Sequence, residues 1–254
     1  MLRALREQAG RSQLQVELEA GLGSGYLQRL ESGRVAHPER DTLERVLAAL
    51  GARYSERRDV LEAFGYAVST PPPGEAEVAW ARLLCARELD EATMPAYTLD
   101  CTHRLVAWNR LVAPLLGADP GTLAGQSMLA PWFDPTSLLG RLLVAPDEFL
   151  PAMLQAFRFE MRRYRDEVWS AAMLAGLLEM PAFRRHWYAV QAAPEAVGAA
   201  RALVPLRVHA GGHGGPLRFR LAAEPFLRDD RFRILYFFPD DAPTMDWVQH
   251  ATPR

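Results

Sequence analysis

A short segment near the N-terminus carries polar side chains that can hydrogen-bond to nucleic acid. The amide of a glutamine such as Gln28 can donate to and accept from the edge of adenine in a DNA major groove. The guanidinium of an arginine such as Arg29 pairs with phosphate oxygens or with base edges. We expect Ser24, Gly25 and Gln28 to face the floor of the groove, Gln13 and Arg29 to contact phosphates or edge bases, and Arg11 and Arg34 to contact phosphates.

Two short predicted helices position these side chains. The first begins at Ser12, a favourable N-cap residue, and ends at Gly21, since a glycine commonly follows the end of a helix. The second follows Gly23 and ends at Gly33, and its apolar face includes Leu27. Two helices of about two turns each, joined by a tight turn, are the geometry that places a second helix in the DNA major groove.

The residues of this segment match a known motif in order and spacing. They are Ser12-Gln13, Ala20-Gly21 and the run YLQRLESG from Tyr26 to Gly33. The segment resembles the Cro/repressor (XRE) type of helix-turn-helix, except at Gly23, where that family usually has Ser or Thr. The resemblance implies binding to a double-stranded DNA operator. One short helix contacts too few base pairs for genomic specificity, so we expect a homodimer that presents two such helices. A purely structural helix pair, or a protein-interaction module, is the alternative.

Apolar residues recur at helical spacing along residues 147–168. Phe149, Met153 and Phe157 are four residues apart and would share one helical face. Such a stripe is typical of ordinary core packing, but methionine also suits the adaptable wall of a ligand cavity. In the second interpretation, the cavity lies between this helix, the segment of residues 169–187 and the sheet.

The candidate cavity has an expected polar end and an expected lining. Arg104, Arg158 and Arg162 are the arginines that we expect to bind a ligand carboxylate at its mouth. Trp108 and Asn109 are either a core tryptophan with a helix N-cap or part of the pocket wall. The apolar residues expected to line the cavity are Trp108, Phe149, Met153, Phe157, Met161, Trp169, Met173, Leu177, Phe183 and Trp187.

Other arrangements of reactive residues do not form a recognisable site. His209 and His213 are four residues apart, but the turn between them is not helical and a third ligand is lacking nearby, so we expect no metal. The sequence has no G-x-S-x-G, H-E-x-x-H or paired catalytic carboxylate motif. We therefore expect a protein that is not an enzyme and needs no cofactor, apart from a bound fatty acid or other apolar small molecule.

Composition limits the class of protein. The chain has 254 residues, 49% of them hydrophobic and 24% charged, which fits one large or two ordinary globular domains. It lacks a run of 18 apolar residues and a secretory signal, and its two cysteines form no framework, so we expect a cytoplasmic protein without a membrane partner. The net charge of −2 does not indicate a nucleic-acid binder, so DNA binding requires the arginines to gather on one face.

The pattern predicts a multidomain α and α+β protein. Residues 1–68 form five helices, the fifth capped by Ser55. Residues 69–77 form a linker stiffened by prolines, and residues 241–254 form a tail. Residues 78–240 have helices between strands at both ends, which predicts an antiparallel sheet with a helical cover. Residues 96–100 and 104–108 alternate at period two and are the first two strands, in a predicted β-hairpin. In the last strand, Phe232 and Ile234 alternate with Arg233.

The second domain carries a further family resemblance. Its residues are Pro95-Ala96-Tyr97, the run VAWN ending at Asn109, and the run FRRHW from Phe183 to Trp187. Over residues 80–240 the chain resembles the ligand-binding domain of MmyB-like transcription regulators, a PAS-like fold, and the run RVAHP from Arg34 resembles the same family. The resemblance implies a PAS-like domain that dimerises and binds a small apolar effector, with a fatty acid as the candidate.

The sequence therefore predicts a ligand-responsive transcription regulator. An effector in the second domain would change the placement of two DNA-binding heads, with Pro71–Pro73 transmitting the change. Two alternatives remain at this stage. One is a constitutive DNA-binding protein whose second domain only dimerises, and the absence of a cavity would favour it. The other is an enzyme acting on an acyl substrate, and a polar reactive cluster opening into the cavity would favour that.

Overall fold

The computed structural model describes residues 1–192, 203–210, 214–226 and 228–251. The chain divides into two compact units, Met1–Ser69 and Thr70–Arg254. Each unit has an apolar core of its own, and the second unit has a further cluster on the other face of its sheet.

Five helices build the first unit, as predicted. Its core contains Val16, Leu27, Leu43 and Leu47, each fully buried, so the helix-turn-helix pair rests on the fourth helix. The helices are α1 (Leu2–Gln8), α2 (Gln13–Glu19), α3 (Tyr26–Glu31), α4 (Arg40–Ala49) and α5 (Tyr54–Ala63).

Two helix starts in this unit differ from the prediction. Helix α3 begins at Tyr26 rather than directly after Gly23, because Gly25 has a φ of 76° and holds the chain in a left-handed turn that L side chains disfavour. Helix α5 begins one residue before Ser55, and the Glu56 carboxylate accepts a 2.8 Å hydrogen bond from the Arg53 backbone N–H. The predicted cap at Ser12 is confirmed, because its Oγ accepts from the Gln15 backbone and the Gln15 side chain accepts in return.

An antiparallel five-stranded sheet is the centre of the second unit. The strands lie in the order β2-β1-β5-β4-β3, and the first two form the predicted hairpin. This arrangement confirms the predicted sheet with a helical cover. The strands are β1 (Ala96–Asp100), β2 (Leu105–Trp108), β3 (Val204–Val208), β4 (Leu217–Pro225) and β5 (Phe232–Pro239).

Helices cover both faces of this sheet. On one face Cys85 and Leu89 of the first helix of the unit pack with Phe232 and Ile234. On the other face, Tyr97 belongs to the large core that includes helical residues from the middle of the chain. The helices are α6 (Glu75–Glu91), α7 (Val112–Leu116), α8 (Leu138–Leu142), α9 (Pro146–Met161), α10 (Val168–Leu178), α11 (Pro181–Ala192) and α12 (Ala242–His250).

Three segments of the second unit differ from the expected pattern. The stripe predicted over residues 147–168 is interrupted, because α9 ends at Met161 and a 3-10 turn, Arg162–Tyr164, precedes α10. Val168 is therefore 86% exposed instead of facing the core. The expected linker contains the start of α6, and the expected tail contains α12, whose Val248 is buried in the core.

No helix among the described residues is both long enough and apolar enough to span a lipid bilayer.

Candidate nucleic-acid interface and candidate ligand cavity

A buried carboxylate joins the two helices of the helix-turn-helix. Glu17 of α2 is 4% exposed, and its Oε1 accepts a 2.8 Å hydrogen bond from the Leu27 backbone N–H. Its Oε2 accepts a 3.1 Å hydrogen bond from the Gly25 backbone N–H. The carboxylate satisfies N–H groups that a helix start leaves unpaired, and its charge complements the helix dipole. Glu17 thus caps α3 from the neighbouring helix, in the place where Gly25 has no side chain to do so.

The outer surface of α3 presents the polar residues that the sequence selects. Ser24, Gln28, Arg29 and Arg34 are exposed, and Gly25 is half-buried. The Arg29 guanidinium lies 5.8 Å from the centre of the Tyr26 ring, so an aromatic ring supports its position. These residues form a polar surface on and beside α3, which has the chemistry required for contact with base edges and phosphates.

Two other expected DNA contacts are held by partners within the protein. Gln13 donates a 2.8 Å hydrogen bond from Nε2 to Glu31, so its amide oxygen and its second N–H remain for another partner. Arg11 forms an ion pair with Glu19 on the surface. Glu31 also accepts a 2.7 Å hydrogen bond from Arg6. Burial raises the pKa of Glu31, but the hydrogen bonds from Arg6 and Gln13 lower it by a larger amount in total. The pKa of Glu31 therefore lies below its ordinary value.

A cavity of about 100 Å³ lies between α9 and the sheet. Phe149, Met153 and Phe157 of α9 form part of its wall, and Tyr97 and Leu235 face them from the sheet. Further apolar lining comes from Leu99, Met128, Leu129, Trp132, Ala156, Val204, Leu221, Ala222 and Ala223. Polar groups are few, and they are gathered in the side chains of His103, Glu160 and Arg233.

Both parts of the chain match known family models. Residues 1–60 match a helix-turn-helix domain, and residues 85–250 match the MmyB-like transcription regulator ligand binding domain, which spans well over half of the chain. The chain belongs to the MmyB-like transcription regulators. A comparison with curated proteins found no match. The two models make the chain a DNA-binding transcription regulator with a ligand-binding domain, and both resemblances noted in the sequence are confirmed at this level.

Several residues expected in the cavity of this MmyB-like regulator lie elsewhere. Trp169 donates a 2.7 Å hydrogen bond from its indole N–H to the Thr70 carbonyl oxygen. Met161 and Met173 are only half-buried against the core. Leu177, Phe183 and Trp187 are core residues behind the cavity wall, and the Phe183 ring packs 6.3 Å from that of Phe157. The stripe is thus partly cavity wall and partly ordinary core.

Trp108 and Asn109 of the regulator also lie outside the cavity wall. Asn109 is buried, its Oδ1 accepts 3.2 Å hydrogen bonds from the backbone N–H groups of Ala96 and Leu111, and its Nδ2 donates to the Met94 carbonyl at 2.7 Å. It therefore holds the chain around the end of β2, although it does not cap α7, which begins at Val112. Of the two interpretations from the sequence, the structural one describes this geometry.

The three arginines that we expected to bind a ligand carboxylate do not line the cavity. Arg104 and Arg162 are exposed, and the Arg162 guanidinium lies over the Phe159 ring. Arg158 donates to the Val190 carbonyl at 3.4 Å. The arginine that lines the cavity is Arg233 on β5, which alternates with Phe232 and Ile234 along the strand. Because α6 covers the face with Phe232 and Ile234, both faces are buried and the pattern does not mark an exterior.

Arg233 belongs to a buried polar cluster of the MmyB-like regulator. Its Nη2 donates to His103 Nδ1 at 2.7 Å, its Nη1 donates to the Asp100 carbonyl at 3.3 Å, and it forms an ion pair with Glu160. Burial, together with the charge of Arg233, holds the pKa of His103 well below its ordinary value. Burial raises the pKa of Glu160, although Arg233 and Arg163 act in the opposite direction. No motif in the sequence marked His103, Glu160 or Arg233.

The metal prediction concerns two histidines of the regulator. His209 follows β3 and is exposed, whereas His213 lies outside the described residues. Within the part of the chain that the structure describes, no three or more His, Cys, Asp or Glu side chains are arranged to hold a metal ion.

Proposed function

We propose that this transcription regulator recognises operator DNA with the exposed surface of α3 and binds a small apolar effector in the cavity beside α9. The observation that carries the proposal is the cavity itself, which has apolar walls, three convergent polar side chains and a place within the ligand-binding domain. A constitutive regulator would have no need of such a cavity.

The DNA-binding part of the proposal assigns separate roles on α3. Ser24, Gly25 and Gln28 approach base edges, whereas Arg29 contacts phosphates or edge bases and Arg34 contacts phosphates. We further propose that a homodimer, joined through the second domain, presents two α3 helices about 34 Å apart, one turn of DNA. Selection of binding sequences from a random duplex library by the full chain tests both points. An inverted repeat is expected, and binding without any sequence preference would contradict the proposal.

A fatty acid is the proposed class of effector, because an apolar chain suits the walls and an acid suits an arginine. The cavity of about 100 Å³ is smaller than the engineered cavity of about 150 Å³ that binds benzene. An acyl chain therefore requires the flexible side chains of Met128 and Met153 to move. Native mass spectrometry of the purified full chain, with and without added fatty acids, tests this. The absence of both a co-purified lipid and acyl binding would contradict it.

We propose that residues 70–73 transmit the effector signal. Trp169 of α10 holds the Thr70 carbonyl, and buried Arg231 donates a 3.2 Å hydrogen bond to the Pro71 carbonyl. The start of this segment is thus fixed to the ligand-binding unit, and Pro71–Pro73 limit its bending. Replacing Pro71–Pro73 with Gly and Ser should abolish the effect of the effector on DNA binding. The chain should still bind the effector and should still bind DNA. Retained regulation would contradict this role.

An enzyme acting on an acyl substrate is a second candidate, because polar groups do face the cavity. His103, Glu160 and Arg233 include an acid and an imidazole. The described lining contains no Ser, Thr, Cys or Lys that could serve as a nucleophile, and His103 Nδ1 is engaged by Arg233. Incubation of the full chain with p-nitrophenyl acyl esters tests the alternative, and turnover that disappears in His103→Ala would favour it.

A further inference from the structure

We infer that Arg233 is the binding site for the carboxylate of the effector, and that Glu160 occupies this site until the effector displaces it. The inference rests on the proposed effector cavity and names the residues that select the ligand's polar end. Its basis is that both members of the Arg233–Glu160 ion pair line the cavity. A ligand in the cavity therefore meets a guanidinium whose present partner has the chemistry of the ligand itself.

The Arg233 guanidinium is held in place by groups other than Glu160. The His103 imidazole and the Asp100 carbonyl oxygen accept hydrogen bonds from it, so it stays oriented when the carboxylate changes. An uncharged His103 accepts from Arg233 and does not attract the ligand's carboxylate for itself. The imidazole ring also packs 5.0 Å from the Phe157 ring of the cavity wall.

The backbone conformation at His103 indicates that its imidazole is held in a specific position beside Arg233. His103 has a φ of 62°, and it is the only non-glycine residue with positive φ in the described part of the chain. Side chains with a Cβ disfavour this conformation, and such residues concentrate at functional sites. The turn is stabilised by Asp100, whose carbonyl oxygen accepts from the His103 N–H at 2.9 Å. The conformation brings the imidazole onto Arg233.

Glu160 has the access to solvent that an exchangeable partner needs. Its side chain is 24% exposed, whereas that of Arg233 is 10% exposed, and it lies in the last turn of α9. The carboxylate can therefore turn towards water while the arginine stays buried. The exchange replaces one negative charge beside Arg233 with another, so no surplus charge is left in the apolar interior. A ligand added without the departure of Glu160 would bury an unpaired charge, which is strongly unfavourable.

The exchange also supplies a physical signal. Glu160 ties α9 to β5, and α9 leads directly into the turn Arg162–Tyr164. The Tyr164 ring packs 5.1 Å from the ring of Trp169, which holds the Thr70 carbonyl. Release of the Glu160–Arg233 pair frees the end of α9 next to this contact. Effector binding thereby reaches the segment that leads to the DNA-binding unit.

Calorimetric titration of the full chain tests the inference. The ligands are butyrate, hexanoate and octanoate, each paired with the alcohol of the same length. Glu160→Gln removes the competing charge and should tighten acid binding by about tenfold, while alcohol binding stays within about twofold. Arg233→Met should abolish acid binding and retain alcohol binding. Glu179→Gln, which neutralises an exposed carboxylate at the end of α10, is the matched control and should change neither.

The outcomes separate this inference from the proposed function. Acid affinities that are equal in the wild type, Glu160→Gln and Arg233→Met would overturn the exchange, while alcohol binding would still support an effector cavity. Failure of every acid and alcohol to bind any variant would overturn both. If Arg233→Met does not show the circular dichroism spectrum of the native protein, the test rests on Glu160→Gln alone. An acid affinity of Glu160→Gln equal to that of the wild type would then overturn the exchange.

Discussion

The Glu17 carboxylate lies 2.8 Å from the backbone nitrogen of Leu27, so a buried side chain of α2 caps the start of α3. Helix α3 begins after two glycines, Gly23 and Gly25, and lacks a capping side chain of its own. Its orientation therefore depends on a residue eight or more positions earlier in the chain. Stability of the helix-turn-helix and presentation of Gln28 share this contact.

Glu17→Ala should destabilise the first unit by about 2–4 kcal/mol, because the buried Leu27 N–H and the half-buried Gly25 N–H lose their acceptor. Far-UV circular dichroism during urea unfolding measures the loss. Hydrogen exchange at the Leu27 amide localises it to α3. Glu19→Ala, on the exposed side of the same helix, is the control and should change stability by less than about 1 kcal/mol. Equal effects of the two substitutions would contradict the capping role.

Gln28→Ala should weaken operator binding by about 1–3 kcal/mol, because one bidentate contact to a base is lost. The loss should be confined to the operator carrying the preferred base at one position. Titration of the variant against the selected operator and its single-base derivatives measures this. Gln8→Ala, at the exposed end of α1, is the matched substitution. Unchanged base preference at every position would remove Gln28 from the interface.

Glu31 should make the first unit more stable at neutral pH than in acid. Its pKa is lowered on folding, so the stabilisation is present above its unfolded pKa of about 4.3 and is lost as the pH falls through the folded pKa. Glu31→Gln should therefore cost more stability at neutral pH than in strong acid, because the uncharged glutamine cannot form the ion pair with Arg6. Urea unfolding across this pH range measures both values. A difference that does not vary with pH would contradict the assignment.

Met153→Trp should weaken binding of fatty acids by about tenfold or more, because the larger side chain occupies part of the cavity and cannot be accommodated without strain. Calorimetric titration with octanoate measures the affinity, and thermal unfolding shows whether the domain remains folded. Met245→Trp, at an exposed position of α12, provides the comparison. Equal octanoate affinities in the two variants would place the ligand elsewhere.

Trp169→Phe should uncouple effector binding from DNA binding. The substitution keeps an aromatic ring beside Tyr164 but removes the N–H that holds the Thr70 carbonyl. Octanoate should then change operator affinity by less than about twofold, while the affinity for each partner measured alone is preserved. Trp247→Phe, which makes the same substitution on α12, is the control. Regulation that persists in Trp169→Phe would show that this hydrogen bond carries no signal.

Local patterns in the sequence were sufficient for much of the fold. The cap at Ser12, the glycines around the helix-turn-helix and the alternating strands of the first hairpin depend on residues close together in the chain. Their preferences are set by backbone sterics and by nearest hydrogen bonds, which act in the same way wherever the segment lies. The exposed residues of α3 follow from the same helical periodicity.

The tertiary structure alone decided the two groupings on which the proposed function depends. Glu17 caps α3 and Arg233 faces the cavity only because distant segments meet, and neither residue type nor spacing indicates such a meeting. Arg233 alternates with Phe232 and Ile234, but α6 covers the side of the sheet with Phe232 and Ile234 and α9 covers the side with Arg233, so burial on both faces removed the meaning of the pattern. The sequence determined which side chains each element offers. Packing determined which of them are buried together, and burial is what gives a charge or a hydrogen bond its strength.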